Sequence, residues 1–528
     1  MKKRSLMLFT VLFLLLISSY CCAYDFDVET SNDFRNALSS AETNGESDTI
    51  TLFPGTYETG GSPFNYAPSD AEGDLTIIGS GDVILDAGGN DRVLFIGPSA
   101  PSPAAFTLQN LTIQSGDAIS AAGTYLAMQC GTINVINCSF RNNSASVSRA
   151  GGLSTMIESS GTINITSCDF VGNHAVMEGG GLYAWSESAD ITLLNNSFSD
   201  NSGTSGGGAW INTLIKGNCL VTGNTFSQNA SASNGGGIRT YINGGTLYFS
   251  NNILQNNSIP EESSGYGGGA YLWCKDDLTV QNCYCTNNTA GGNGGGLYAY
   301  SGSGNLIFRN NLVTNNTTFN KGGGAFCNTG GTGVSLDVIN NTITGNSASD
   351  DQSSYCYCGG LFVECQYQNS VASIYNNILW GNTSYQFEPS GGPDNLYLDD
   401  NENMSSFKVY HNVIGTYATD LNGGSIYTHG SNYNTSDLLF VSDTDYHLQE
   451  GSIAIDRGDN SAPNCPSTDL EGNERPYGDT VDIGAYEYNS PPTGDDDDDN
   501  GGGGCNTSAF LPSMLLLITP LLFLARKR

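Results

Sequence analysis

Nine times between residues 137 and 382 the chain places two polar residues five apart around an apolar one, and no other feature constrains its fold so strongly. The units begin at Cys138, Cys168, Asn196, Asn224, Asn252, Cys283, Asn311, Asn341 and Asn377, at steps of 28 to 36 residues. The residue five further on is always asparagine: Asn143, Asn173, Asn201, Asn229, Asn257, Asn288, Asn316, Asn346 and Asn382. Two positions after each start comes Phe140, Phe170, Phe198, Phe226, Leu254, Cys285, Val313, Ile343 or Leu379, an apolar column that must point into a shared core. A glycine run recurs in phase, ending at Gly152, Gly181, Gly208, Gly237, Gly269, Gly296, Gly324 and Gly360. One such repeat cannot bury its own apolar face, so stacking must supply the core.

Helical repeats would need long glycine-free stretches, and this region has none. It has short β-branched runs alternating at period two, such as Gly161–Thr166 and Val334–Ile339, bounded by Gly, Asn and Ser. The pattern predicts an all-β fold, a single-stranded right-handed parallel β-helix of about ten to twelve coils with caps at both ends. The aligned asparagines can then bond from coil to coil. Many lie in Asn-x-Ser/Thr triplets, which glycosylation would also explain, but the repeat generates those triplets by itself. Cys138 and Cys168 occupy one column on neighbouring coils, about 4.8 Å apart, so they are either a disulfide or two stacked buried thiols. Ser31 or Asn32 is expected to cap a short lid helix with Phe34, Ala37, Leu38 and Ala41 inside and Gly45 as its stop.

The expected organisation is a secretory leader (1–23), an N-terminal cap (24–74), the β-helix (75–429), a C-terminal cap (430–490), a disordered Asp/Gly linker (491–504) and an anchor segment (505–528). Lys2, Lys3 and Arg4, an apolar run and small residues at the cut predict cleavage between Ala23 and Tyr24. Setting aside six basic residues at the two termini, 12 Lys and Arg face 52 acids, which disfavours nucleic acid and anionic membranes as partners. At the far end, Gly501–Gly504, Cys505, an apolar span over 509–525 and a basic terminus at Arg526–Arg528 predict a short membrane segment. A eukaryotic glycolipid-anchor signal would normally end in its hydrophobic tail.

This ending resembles bacterial three-part C-terminal sorting signals, particularly the Synerg type. The resemblance implies processing near Cys505 by sorting machinery and attachment to the cell surface. Phe140-x-x-Asn143, Phe170-x-x-Asn173, Phe198-x-x-Asn201 and Phe226-x-x-Asn229, with Gly-Gly-Ala at 207–209, 268–270 and 323–325, resemble the repeats of polymorphic outer-membrane proteins, a family of adhesins. Those proteins close with a membrane β-barrel, for which no room exists after Tyr488. Gly451–Asp456 and Asp482–Tyr488 instead resemble the ending of choice-of-anchor Q proteins, which join a pectate lyase-like right-handed β-helix to varied anchoring tails.

β-Helices also serve as polysaccharide lyases and hydrolases, which need acidic calcium ligands with a basic residue, or a carboxylate pair. The repeat columns supply no such set, so no catalytic residue, cofactor or metal ligand is assigned. Calcium is conceivable at Glu261, Glu262, Asp276 and Asp277 around Trp273 and Lys275, or at Asp399, Asp400 and Glu402, but no specific motif supports it and solvated loops explain both. The strand after each glycine run is more informative. Its first and third positions are mostly small or aliphatic and should face inward, which turns the second and fourth outward. Those outward positions hold Tyr183, Trp210, Arg239, Tyr271, Tyr298, Phe326 and Phe362, then Trp185, Tyr241, Trp273 and Tyr300. A solvent-facing stripe of this kind can stack on the sugars of an extended glycan lying along the axis, or the rings can simply stabilise the sheet. The expectation is therefore an exported, surface-anchored adhesin or glycan-binding stalk, with an extracellular glycan or host-surface ligand as partner. The alternatives are a polysaccharide lyase or glycoside hydrolase on the same scaffold, and a structural cell-surface component.

Overall fold

The computed structural model describes residues 24–68, 73–97, 105–349, 358–385, 394–401, 405–421, 425–428, 431–434 and 438–489. The leader with Ala23, the linker, Cys505, the apolar tail and Glu402 lie outside them. Among the described residues no helix is long and apolar enough to cross a membrane.

The chain winds as a parallel β-solenoid. One coil shows the plan: Gly161–Thr166 in sheet I, Asp169–Val171 in sheet II, a two-residue strand His174–Ala175, then Leu182–Ser186 in sheet III. Sheets I, II and III hold 15, 13 and 13 strands, each paired with the same strand of the coil before and after. Period-two alternation does the sorting. Ile163, Ile165, Phe170, Leu182 and Ala184 point inward and are fully buried. Phe140, Phe170, Phe198 and Phe226 form a stack inside the core with centroids 4.6–4.9 Å apart.

The two polar landmarks are the two corners of each coil. From Asn143 to Asn346, the backbone N–H of each second-landmark asparagine donates to Oδ1 of the next, at 2.9–3.2 Å. Each Nδ2 meanwhile reaches back to a carbonyl of the coil before, as Asn201 does to Phe170 at 2.8 Å. The residue preceding each ladder member has a positive φ, as at Asn142, Asn195 and Asn315, where asparagine tolerates the left-handed region. The ladder asparagines are thus buried acceptors and donors within the fold. Glycine is needed where coils pass closest: a Cβ on Gly181 would lie 2.7 Å from the Gly208 carbonyl oxygen.

Cys138 and Cys168 stand in the structure as buried free thiols. Both sit in the first ladder, where the Cys168 sulfur accepts the Cys138 backbone N–H at 3.4 Å as an asparagine oxygen would. The sulfurs also meet backbone carbonyls, Cys138 that of Ile136 and Cys168 those of Val135 and Thr166. Peptide mapping should therefore find both residues alkylated without prior reduction once the chain is unfolded, and a reducing agent should leave the melting temperature unchanged. A disulfide-linked peptide pair would overturn this.

The ends depart from the expected boundaries. The helix spans Ser31–Ala41 with Phe34, Ala37, Leu38 and Ala41 buried, but Thr30 is its N-cap, accepting from the Asp33 N–H. Strands Asp48–Leu52, Gly55–Glu58 and Phe64–Tyr66 already join sheets I, II and III, so the solenoid starts about one coil before residue 75. At the other end Asn432 continues the first ladder, accepting from the Asn412 N–H at 3.1 Å. The segment from Leu438 onward is not a lid over the last coil. It runs back along the outer face of sheet II, where Tyr486, Ala485 and Leu470 pack near Tyr284 and Leu312, and Ile483 and Ala454 near Ile378 and Val413. The Asp456 N–H donates to Asp482 Oδ1 at 2.7 Å, joining the two sequence motifs singled out near the C-terminus.

Candidate functional site

The flank segment covers part of sheet II, and the candidate residues all lie on the outer face of sheet III. Register pairing aligns them in two columns. The inward expectation holds: Leu182, Ala209, Ile238, Ala270, Leu297, Ala325 and Leu361 are fully buried, as are Ala184, Ile211, Leu272, Ala299, Cys327 and Val363.

The second-position column points outward without being open to solvent, which corrects the expectation of a fully solvent-facing stripe. Tyr183, Trp210 and Phe326 are only 3%, 7% and 3% exposed, while Tyr271 and Tyr298 are partly covered. Neighbouring segments close over these rings. Tyr183 and Trp210 share a buried cluster with Ala121 and Ala150, and Phe326 shares one with Cys358 and Phe362. The rings also use their faces on each other, Tyr183 on Trp210 at 4.8 Å and Tyr271 on Tyr298 at 5.0 Å. Burial pushes the Tyr183 hydroxyl up to about 12, although Arg149 beside it pulls the other way.

The fourth-position column stays half-exposed at Trp185, Tyr241, Trp273 and Tyr300. Here too rings stack from coil to coil: Tyr241 on Trp273 at 4.2 Å and 9°, and Trp273 on Tyr300 at 6.0 Å. Stacking along the axis turns the ring faces toward neighbouring coils and leaves edges and hydroxyls at the surface. A glycan lying lengthwise over this run would meet edges.

Beyond Tyr300 the same column becomes Asn328, Glu364, Asp399 and Asp420, one residue per coil. The sequence reading stopped at Tyr300 and missed Asn328, Glu364, Asp420 and Lys321; counting four from Gly324 and Gly360 would have reached Asn328 and Glu364. Asn328 is buried and its Nδ2 donates to Glu364 at 2.6 Å. Burial raises the pKa of Glu364, helped by Asp399 and opposed by Lys321. Burial raises Asp399 as well, with Asp420 adding and Lys321 opposing. Lys321 Nζ rests 4.8 Å from the centroid of the Phe362 ring. Carboxyls biased toward the protonated form beside an ammonium can exchange protons with a bound sugar.

Of the two loop clusters considered for calcium, the second includes Glu402, which lies outside the described residues. Asp276 and Asp277 accept backbone N–H groups of Gly245 and Asn305 at 2.8 Å, a turn-forming role. Asp399 faces outward whereas Asp400 is fully buried. Among the described residues no group of three or more His, Cys, Asp or Glu is placed to hold a metal ion.

Fold and site together define a right-handed parallel β-helix protein with an aromatic-to-acidic outer face on one sheet. A family model described as the right-handed β-helix region matches residues 100–283 and 198–343. Among solved structures, the chain is similar to pectate lyase Pel9A at 14% identity, covering 85% of this chain and 90% of that one with a TM-score of 0.31. It is also similar to the PL6 family alginate lyase AlyGC at 13% identity, covering 84% of this chain and 60% of that one with a TM-score of 0.30. Likeness at this level carries no conclusion about activity. No curated protein matches the sequence.

Proposed function

We propose that the chain is an exported glycan-binding β-helix held at a bacterial cell surface, presenting the outer face of sheet III to an extracellular polysaccharide or host-surface glycan. The observation that carries this reading is the fourth-position column, where Trp185, Tyr241, Trp273 and Tyr300 all remain half-exposed, as do Tyr271 and Tyr298 beside them, whereas Tyr183, Trp210 and Phe326 are almost wholly covered. Amphipathic rings kept at a surface suit sugars, which present both C–H faces and hydroxyls. The leader and the Gly-Cys-apolar-basic ending support export and anchoring through the C-terminal segment. On a glycan array the body through Tyr488 should bind saturably without releasing products. Trp273→Ala should weaken that binding about tenfold, or ~1.4 kcal/mol, with circular dichroism unchanged. Unaltered affinity in a folded variant would sink the assignment.

A second reading, cleavage of the bound polysaccharide, is favoured by one observation: Glu364 and Asp399 stand on adjacent coils with raised pKa values beside Lys321. The aromatic run would position the chain of sugars, and the carboxyl pair would act as acid and base. Appearance of reducing ends or unsaturated sugars that disappears in Glu364→Gln would favour this reading over pure binding.

A further inference from the structure

At the second corner, the residue before each ladder asparagine has a positive φ, and its column reads Asn256, Asn287, Asn315, Gly345, Gly381 on consecutive coils. Asparagine holds this conformation three times running at φ 56°, so the backbone does not demand glycine at the last two positions. What glycine does there is leave out a side chain. Within 3.5 Å, a Cβ on Gly345 would meet only the movable Asn315 Oδ1, at 2.7 Å, and one on Gly381 only Thr344 Oγ1.

The C-terminal flank faces this trough with a hairpin, joined by the Phe440–Leu448 bridge and by the Val441 N–H to His447 carbonyl bond at 2.9 Å. Between hairpin and corner lies a cavity of about 430 Å³. Small-molecule sites span roughly 300–1,000 Å³. The solenoid wall is Asn315, Thr344, Gly345 and Trp380, and the hairpin wall includes Phe440, Asp443 and Tyr446.

A second observation points to a ligand. Thr344 is only 7% exposed, and among the described residues its hydroxyl makes no hydrogen bond, whereas Thr314 one coil earlier donates to Thr286 at 3.1 Å. Buried polar groups are nearly always paired, so an unpaired hydroxyl lining a cavity marks a missing partner. Trp380, half-buried in the same wall, stacks on no other described ring, unlike Tyr241 and Trp273 on sheet III. The chemistry of the walls is mixed: three rings suit C–H groups, while Thr344, the Asn315 amide and Asp443 suit hydroxyls. A saturated sugar presents both at once, and a flat hydrocarbon-like ring would leave the polar groups unmet. No Lys, Arg or His lines the cavity, and Asp443 would repel the carboxylate of a uronate.

We propose that this corner cavity, between sheet II and the C-terminal hairpin, is a binding site for a neutral sugar unit. Thr344 and Asn315 bond its hydroxyls, and Trp380 meets its C–H groups. The site shares no residue with the outer face of sheet III, so it stands or falls apart from the glycan-binding reading made there.

A sugar touching both walls holds the hairpin on the solenoid, so binding is read as slowed amide exchange over residues 438–449 of the full chain. Cellobiose, mannobiose and lactose are the probes, with digalacturonate and indole as counter-probes. At least one neutral disaccharide should slow exchange there about tenfold at ten times its Kd. Gly345→Asn, which restores the corner residue of the preceding coils and fills the trough, should weaken binding at least ~tenfold with circular dichroism unchanged. Thr344→Val, which removes only the hydroxyl, should weaken it about fivefold. Trp273→Ala on sheet III should leave the protection as it is. Equal protection in wild type and Gly345→Asn overturns the site, as does protection by digalacturonate or indole that matches the neutral sugars. Undiminished binding in Thr344→Val overturns it too, whether or not Gly345→Asn folds. If no neutral disaccharide protects the hairpin, the site is overturned, while sugar binding lost in Trp273→Ala would still uphold sheet III.

Discussion

Replacing Asn316 by alanine should destabilise the solenoid by about 4 kcal/mol or more, the largest effect expected of any single substitution here. Asn316 Oδ1 accepts from both the backbone N–H and the Nδ2 of Asn288, each at 2.9 Å. Its Nδ2 donates to the Cys285 and Thr314 carbonyls and to Asn346 Oδ1 at 2.9–3.0 Å. Alanine strands several of these fully buried groups at once, and each costs about 1–3 kcal/mol. Denaturant titration of wild type and variant measures the difference. Cysteine at Asn311 should cost much less, because Cys138, Cys168 and Cys283 already serve in that ladder and their sulfur can accept the same N–H. If Asn316→Ala unfolds at the wild-type denaturant concentration, the ladder is not what sets the stability of the corners.

Replacing Arg475 by alanine should release the C-terminal flank from the body. Arg475 and Glu487 form an ion pair at 2.9 Å with both side chains wholly removed from solvent. The guanidinium also donates to the Gly484 carbonyl at 2.9 Å. Removing one partner leaves an uncompensated buried charge, which costs about 3–5 kcal/mol. Apolar contacts to Ile378, Val413, Tyr284 and Leu312 also dock this segment, with hydrogen bonds from Asn340, Asn376, Asn464 and the Gly484 N–H, the last to the Asn376 carbonyl at 2.8 Å, but Arg475 and Glu487 are its wholly buried charges. Hydrogen exchange should therefore quicken across residues 438–488 while sheet I keeps its protection, and proteases should cut the flank first. Arg475→Met combined with Glu487→Gln should recover much of the protection, since the amide still accepts the Asp482 N–H. Unchanged exchange in Arg475→Ala would show that the apolar contacts hold the flank alone.

Much of this architecture is legible in the residues. The spacing of Cys138 through Asn377 and of Asn143 through Asn382 marks the two corners, and the ladder bonds run along those columns. Phe34, Ala37, Leu38 and Ala41 identify the buried face of the helix, although its cap proved to be Thr30, one residue earlier. The site was less legible. Trp185, Tyr241, Trp273 and Tyr300 could be aligned from the glycine runs, but Glu364 and Lys321 gain their relation only when the 42 residues between them close one coil.

The sequence by itself determined which side chains face inward and which outward, because a β-strand has a period of two and every coil repeats the same register. Only the tertiary structure decided which outward residues remain accessible. Trp210 and Trp273 occupy adjacent outward columns two coils apart, yet one is 7% exposed and the other half-exposed. Trp210 belongs to a buried cluster with Tyr183, Ala150 and Ala121, whereas Trp273 lies in the half-exposed run of Tyr241 and Tyr300, and local alternation carries no information about such cover. The same reason hid the flank: residues near 485 lie against Thr342 and Tyr284, a contact set by complementary surfaces far apart in the chain rather than by any pattern within either segment.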